Sequence, residues 1–216
     1  MKNRSEGNYY VARKDRLLRG FDEFAEAVRP VLMAHYGEAS AAEIVHEARQ
    51  EFESLIPQIP YIGGSRNPLT RNLVGTTKSL ALFKALRTRE ERIETIGKFY
   101  YEMMETYLLS SSHWPFRLMR VALSTKVGQS LFKRILKKMA AESQKRQYPE
   151  NFVLEYVEGK EGEFDCGIDY TECTIVKFFR SQGAGEFARY LCLYDYPKSR
   201  ITGTGFVRTM TLAEVH

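Results

Sequence analysis

The chain has 216 residues, 44% hydrophobic and 27% charged, with a formal net charge of +5. That balance is typical of a globular protein and excludes a disordered or fibrous one. No apolar run approaches the roughly 18 residues that a membrane span needs, so none is expected.

The opening stretch MKNRSEGNYYVARKDRLL lacks an apolar core, so no secretory signal is expected, and residues 1–10 read as a loosely docked tail. The three cysteines are an odd number without a signal. They read as free thiols in a reducing compartment, and a cytoplasmic location follows. From Arg13 onward Leu17, Phe21, Phe24, Val28 and Val31 recur at helical spacing, with a kink or break expected at Pro30. Ser40 and Glu43 have the spacing of a capping box for the next helix, whose apolar face carries Ala41, Val45, Ala48, Phe52 and Leu55. His46 lies beside that face and reads as structural. Pro57 ends the helix, and the loop PYIGGSRN (60–67) follows. The loop is either a rigid connection or a pocket wall lined by its amides and Asn67.

A central, largely apolar helix is expected from Leu69 to Leu86, and Thr88 with Glu91 marks a second capping box. Ile93, Ile96, Tyr100, Met103 and Tyr107 form the stripe of the next helix. SSSHWP (110–115) interrupts it, with Pro115 in the first turn of a further helix and His113 or Trp114 near its cap. A break is expected near Gly128. Between Arg117 and Arg146 there are nine Lys or Arg and one acid, Glu142. Such a segment suits nucleic acid, an anionic membrane surface, or a solvated face turned toward acidic elements of the fold. No nucleic-acid-binding motif accompanies it, and no nucleic-acid partner is expected.

The pattern changes at Tyr148-Pro149. Residues 151–158 alternate as a strand, 159–162 form a turn, and Phe164–Tyr170 reads as a second strand. Short helices are expected over Cys173–Ser181 and Glu186–Tyr194, and a third strand over Thr202–Thr211. The expected fold is therefore α+β: an N-terminal helical layer (1–147) packed on a small C-terminal antiparallel sheet with two short helices (148–216), the two regions forming one domain.

The runs GIDYTEC (167–173), YLCLYDYP (190–197) and GTGFVRTMTLAE (203–214), with PYIGGSRN before them, resemble the L-2-amino-thiazoline-4-carboxylic acid hydrolase family. The resemblance implies hydrolytic opening of a C–N bond in a cyclic isothiourea or amidine that carries a carboxylate. That chemistry needs a nucleophile or base at the amidine carbon, an acid for the leaving nitrogen, and a cation for the carboxylate. Cys173, at the start of a helix, is a candidate nucleophile with a thiol expected below the usual pKa, or else a packing residue. Cys192 is open to the same two readings, and Cys166 is the most dispensable thiol. Asp195 is a candidate base or else the anchor of its turn, and Glu172 a second acid or base. Arg208 is the expected carboxylate clamp, reaching from the third strand toward Glu172 and Cys173, or else the partner of an ion pair with one of these acids. Tyr170, Asp169 and Asn67 complete the substrate-binding set. The histidines and cysteines lack metal-ligand spacing, so no metal and no cofactor are expected.

In the family that these motifs resemble, TLAE is followed by Gly-Gly and a Cys-Asp-Phe strand, whereas this sequence reads TLAEVH. The expectation is that a sheet edge is left uncovered. The alternative reading is a non-catalytic small-molecule-binding module, a degenerate member of the family. A small-molecule substrate is the expected partner, and a homodimer stays open.

Overall fold

The computed structural model describes residues 9–89, 92–110 and 114–214. A 3-10 turn at Val11–Arg13 leads into helix α1, Lys14–Tyr36, which buries Leu18, Phe21, Phe24, Val28 and Leu32 among others. The expected break at Pro30 does not occur. Proline costs one backbone hydrogen bond, about 3 kcal/mol in a helix interior. The neighbours Val28, Val31 and Leu32 are all buried. Each recovers about 1.5–3 kcal/mol if the helix runs on.

Helix α2 spans Glu38–Leu55 and starts directly after Gly37, whose φ of 76° turns the chain between the helices. Ser40 and Glu43 therefore lie inside the helix and make no capping box. His46 stays at the surface beside Gln50, 3.0 Å away. In the 60–67 loop, Asn67 donates to the Ile62 carbonyl (2.6 Å) and to Asn151 Oδ1 (2.9 Å), and its own Oδ1 accepts from Leu69 N (3.0 Å). Its amide is fully engaged in tying this loop to the start of the C-terminal region.

Helix α3, Leu69–Arg87, is central as expected, with residues buried around most of its circumference. Glu91, and with it the second capping box, falls outside the described residues, as does His113. Helix α4, Ile93–Ser110, buries Ile96, Tyr100 and Met103. Helix α5, Trp114–Leu123, and helix α6, Lys126–Gln144, are separated at Ser124-Thr125, slightly before the expected break. Thr125 decides the position, because its hydroxyl accepts the Gly128 amide (3.0 Å) and caps α6.

Strands β1, Val153–Lys160, and β2, Phe164–Glu172, form an antiparallel hairpin in which Leu154 faces Tyr170, Tyr156 faces Ile168 and Glu158 faces Cys166. Between Val153 and Leu154 the register shifts, leaving Thr171 as the extra residue of a bulge. Ser143 and Gln144 at the end of α6 bond to the Leu154 backbone, which docks the hairpin on that helix.

Three short helices follow, one more than expected: α7, Thr174–Ser181; α8, Ala188–Leu193; and α9, Asp195–Thr202. The third strand is absent. Thr202 ends α9, and residues 203–211 are irregular. Gly203 and Gly205 have φ of 71° and 62°, and Ser199 Oγ captures the Phe206 amide at 2.8 Å. These local bonds curl the chain back over α9. The sheet accordingly has two strands among the described residues. The fold is α+β, dominated by helix.

Aromatic rings join the two regions of the chain. Phe187, just before α8, stacks on Phe83 of α3 with centroids 4.3 Å apart and also meets Tyr100 of α4 and Phe179 of α7. Gly97 of α4 permits this closeness: a Cβ there would lie 2.2 Å from the Tyr190 ring of α8. The helical layer thus fixes α8, and α8 carries Cys192.

Candidate active site

Five sequence-predicted residues come together where β2, α7, α8, α9 and the 203–211 segment meet. Cys173 is the N-cap of α7, extended at φ −119° and ψ 111°, so its side chain lies over the first turn. The amides of Val176 and Ile175 favour its thiolate, without completing a capping hydrogen bond. Burial outweighs them and pushes the thiol above its ordinary value. The expectation of a lowered pKa at Cys173 is therefore corrected: the helix terminus is present, but the desolvation of a half-buried thiol is the larger effect.

Cys192, in the last turn of α8, is pushed up to about 11, chiefly by burial; Arg208 opposes the shift, and negative charge on Cys173 or Asp195 reinforces it. Asp195 opens α9. Burial raises its carboxyl, while Lys198 and Arg208 hold it down. Half of its side-chain surface remains open to water, so Asp195 lies at the solvent edge of the cluster and not in the core. Tyr170 projects from β2 beside the bulge. Its ring is partly exposed, yet its phenol is pushed up to about 12, first by burial and then by Cys173, Asp195 and Cys192.

Arg208 does not stand on a strand and does not act on Cys173. It reaches the other end of the cluster. Its Nη1 donates to the Cys192 carbonyl at 2.8 Å and faces Asp195 Oδ2 at 3.5 Å. The guanidinium lies over the rings of Tyr196 (5.2 Å) and Phe206 (5.6 Å), which pack edge to face with each other. Only 17% of the Arg208 side chain is exposed. Among the described residues, Nε and Nη2 make no hydrogen bond, so one two-donor edge of the fork is left for a ligand.

The remaining expected residues lie elsewhere. Asp169 is on the opposite face of β2 from Tyr170, across from Glu155 and exposed. Asn67 belongs to the 60–67 loop. Glu172 is gripped by Arg146 and Lys177, and these cations hold its carboxyl below the usual range. That is a clamp across the strand–helix junction, and it suits a permanent anion better than an acid or base. Cys166 sits toward the hairpin turn, opposite Glu158. Among the described residues no three His, Cys, Asp or Glu are grouped as a metal site.

Two surface recesses lie outside the cluster. One of 290 Å³ is walled by Phe83, Lys84 and Gln182, and one of 520 Å³ by Leu109, Arg120 and Arg200. The cluster itself is shallow and faces solvent through Asp195 and Tyr170. The aromatic seat of Arg208 was not anticipated, although Tyr196 and Phe206 both stand inside the motifs YLCLYDYP and GTGFVRTMTLAE.

The family model for L-2-amino-thiazoline-4-carboxylic acid hydrolase matches residues 74–214, which include all five clustered residues. The chain belongs to this family. No curated protein and no solved structure matches it. The PYIGGSRN loop precedes the matched span, so the hydrolase-family assignment rests on α3 onward.

Two expectations follow from the site's electrostatics. With Cys166 and Cys192 replaced by Ser, the alkylation rate of Cys173 should rise with a midpoint above the ~8.5 of a free cysteine; a midpoint below it would show that the helix terminus prevails. For Glu172 the folded-state pKa is lowered, so its stabilisation is present above the unfolded value of ~4.3 and is lost as pH falls through the folded value. Glu172→Gln should therefore lower stability at neutral pH, converge with the parent in acid, and leave turnover nearly unchanged. Denaturant melts at both pH values, with rates measured alongside, check this.

Proposed function

We propose that the protein hydrolyses a small heterocyclic carboxylate, L-2-amino-thiazoline-4-carboxylate or a close analogue, opening its ring at the amidine carbon. One observation carries this reading: an arginine mostly covered and seated on two rings, with a free two-donor edge, lies beside a half-open carboxyl whose pKa burial raises. Arg208 holds the substrate carboxylate through Nε and Nη2. Asp195 takes the proton of the attacking group, either water directly or the Cys173 thiol; in the second case a water then adds to the enzyme-bound carbon and the Cys173 C–S bond breaks, which returns the thiol and releases the carbamoyl product. A raised carboxyl is a stronger base than an ordinary aspartate, which suits that role.

As the tetrahedral carbon forms, the acquired proton is positioned for the leaving atom. Tyr170, neutral with its high pKa, is a second donor toward the same centre. The Cys192 carbonyl fixes Arg208, and the Cys192 thiol completes the wall next to it. Collapse of the tetrahedral carbon can release either ring atom: rupture of the C–S bond yields N-carbamoyl-cysteine and a free thiol, the product looked for first, and rupture of the ring C–N bond yields S-carbamoyl-cysteine.

The test is incubation with L-2-amino-thiazoline-4-carboxylate and separation of the two products. Either shows the hydrolase, and their ratio identifies the bond. Absence of both above buffer, with folded protein, contradicts the reading. The raised thiols favour a second reading, a carboxylate-binding module without turnover. Calorimetric binding of the same compound with no product would support it.

A further inference from the structure

The charges of α5 and α6 sort into two sets. Four of the cations between Arg117 and Arg146 are ion-paired: Lys133 with Asp165, Lys137 with Glu158, Lys145 with Glu142, and Arg146 with Glu172. Three of these four acids lie on the hairpin, so the side of α6 facing the sheet is neutralised. The other five, Arg117, Arg120, Lys126, Arg134 and Lys138, make no ion pair among the described residues.

The unpaired cations accompany exposed aliphatic side chains. On α6, Val127, Leu131 and Ile135 step by four and are 79%, 54% and 47% exposed. Arg134 and Lys138 stand three places beyond Leu131 and Ile135, on the same side of the helix. On α5, Leu118 and Val121 are 57% and 64% exposed, with Arg117 one turn before Val121. Beside them the 520 Å³ recess joins α5 to the ends of α4 and α9, with Val121, Leu109 and Ile201 as apolar lining and Arg117, Arg120 and Arg200 as cationic lining. A helix face that serves only solvation carries polar residues at such positions. On α6 Arg134 and Lys138 share the side of the aliphatic stripe, and on α5 Arg117 and Arg120 line the recess together with Val121; Lys126 lies two turns before Lys133, on the hairpin side of α6.

We propose that α5 and α6 as far as Lys138 dock the protein on the surface of an anionic lipid bilayer, lying in the interface without crossing it. The aliphatic stripe enters the boundary between headgroups and chains, and Arg117, Arg120, Arg134 and Lys138 meet the anionic headgroups. Among the described residues no helix is long and apolar enough to span, which agrees with a surface mode. A nucleic acid would use the cations but not five aliphatic side chains. A two-fold copy would set these same cations against one another.

The experiment is flotation of the full chain with vesicles of phosphatidylcholine alone and of phosphatidylcholine with phosphatidylserine. Binding should require phosphatidylserine, fall steeply with salt, and resist competition by inorganic phosphate. Removing one cation should weaken it about fivefold, so Arg117→Ala with Arg134→Ala should weaken it about twenty-five-fold, by the same per-charge figure. Leu131→Ser should also weaken it. These side chains are exposed, so circular dichroism and ring-opening rates in solution should match the parent. No binding to phosphatidylserine vesicles at low salt would overturn the proposal. So would equal binding to neutral vesicles, variants that bind as the parent does, tighter binding to single-stranded RNA, or a stripe whose substitution changes only self-association in sedimentation.

Discussion

Asp195→Asn should lower kcat for ring opening by about 10²–10⁴-fold, the usual worth of a positioned general base, while leaving the protein no less stable. The stability half follows from the sign of the shift. Burial raises the Asp195 pKa above its ordinary value. The folded state therefore binds this proton more tightly than the unfolded state, and ionisation at neutral pH works against folding. The neutral asparagine removes that opposition. The acid limb of kcat/KM in the parent should lie above the ~3.9 of an ordinary aspartate and should vanish in the variant. Rates across pH, with thermal melts of both proteins, check the three statements together. A large loss of stability with an intact rate would assign Asp195 to the architecture of α9.

Arg208→Ala should raise KM and lower kcat/KM by about 30–5,000-fold, the equivalent of the 2–5 kcal/mol lost when one partner of a buried charged pair is truncated. Arg208→Lys should recover little, because a point ammonium cannot present two parallel donors to a carboxylate. Part of the effect is structural, since Arg208 also holds the Cys192 carbonyl and the rings of Tyr196 and Phe206. A substrate lacking the carboxylate separates the two parts: it should lose little further rate in the variant. If it loses as much as the carboxylate substrate does, Arg208 acts only by positioning.

The helical layer was legible because its apolar residues repeat at helical spacing and its stops are prolines and glycines. Of the kink or break expected at Pro30, the break fails because the cost of one proline is local, whereas the burial of Val28, Val31 and Leu32 that outweighs it is set by the partner helices. The segment 202–211 reads as a strand from its Thr, Phe and Val content, but a strand exists only against a partner. Ser199 and two left-handed glycines claim the backbone first. At the site, the motifs pointed to Tyr170, Cys173, Cys192, Asp195 and Arg208, and these converge. The direction of the Cys173 shift could not be read from the sequence, because it depends on how much of the thiol is covered. Glu172, Asp169 and Asn67 stand in or near recognisable motifs too. Their neighbours Arg146, Glu155 and Asn151 are remote or set by strand register, so the clamp, the outward face and the loop tie appear only in three dimensions.

The most direct measurement compares turnover of L-2-amino-thiazoline-4-carboxylate with that of 2-amino-thiazoline, which lacks the carboxylate, by the unmodified protein. A site built on Arg208 and Asp195 should open the carboxylate substrate and favour it by the same factor of about 30–5,000 that the loss of the charged contact implies. Equal rates on the two compounds, or no product from either with folded protein, would contradict the account.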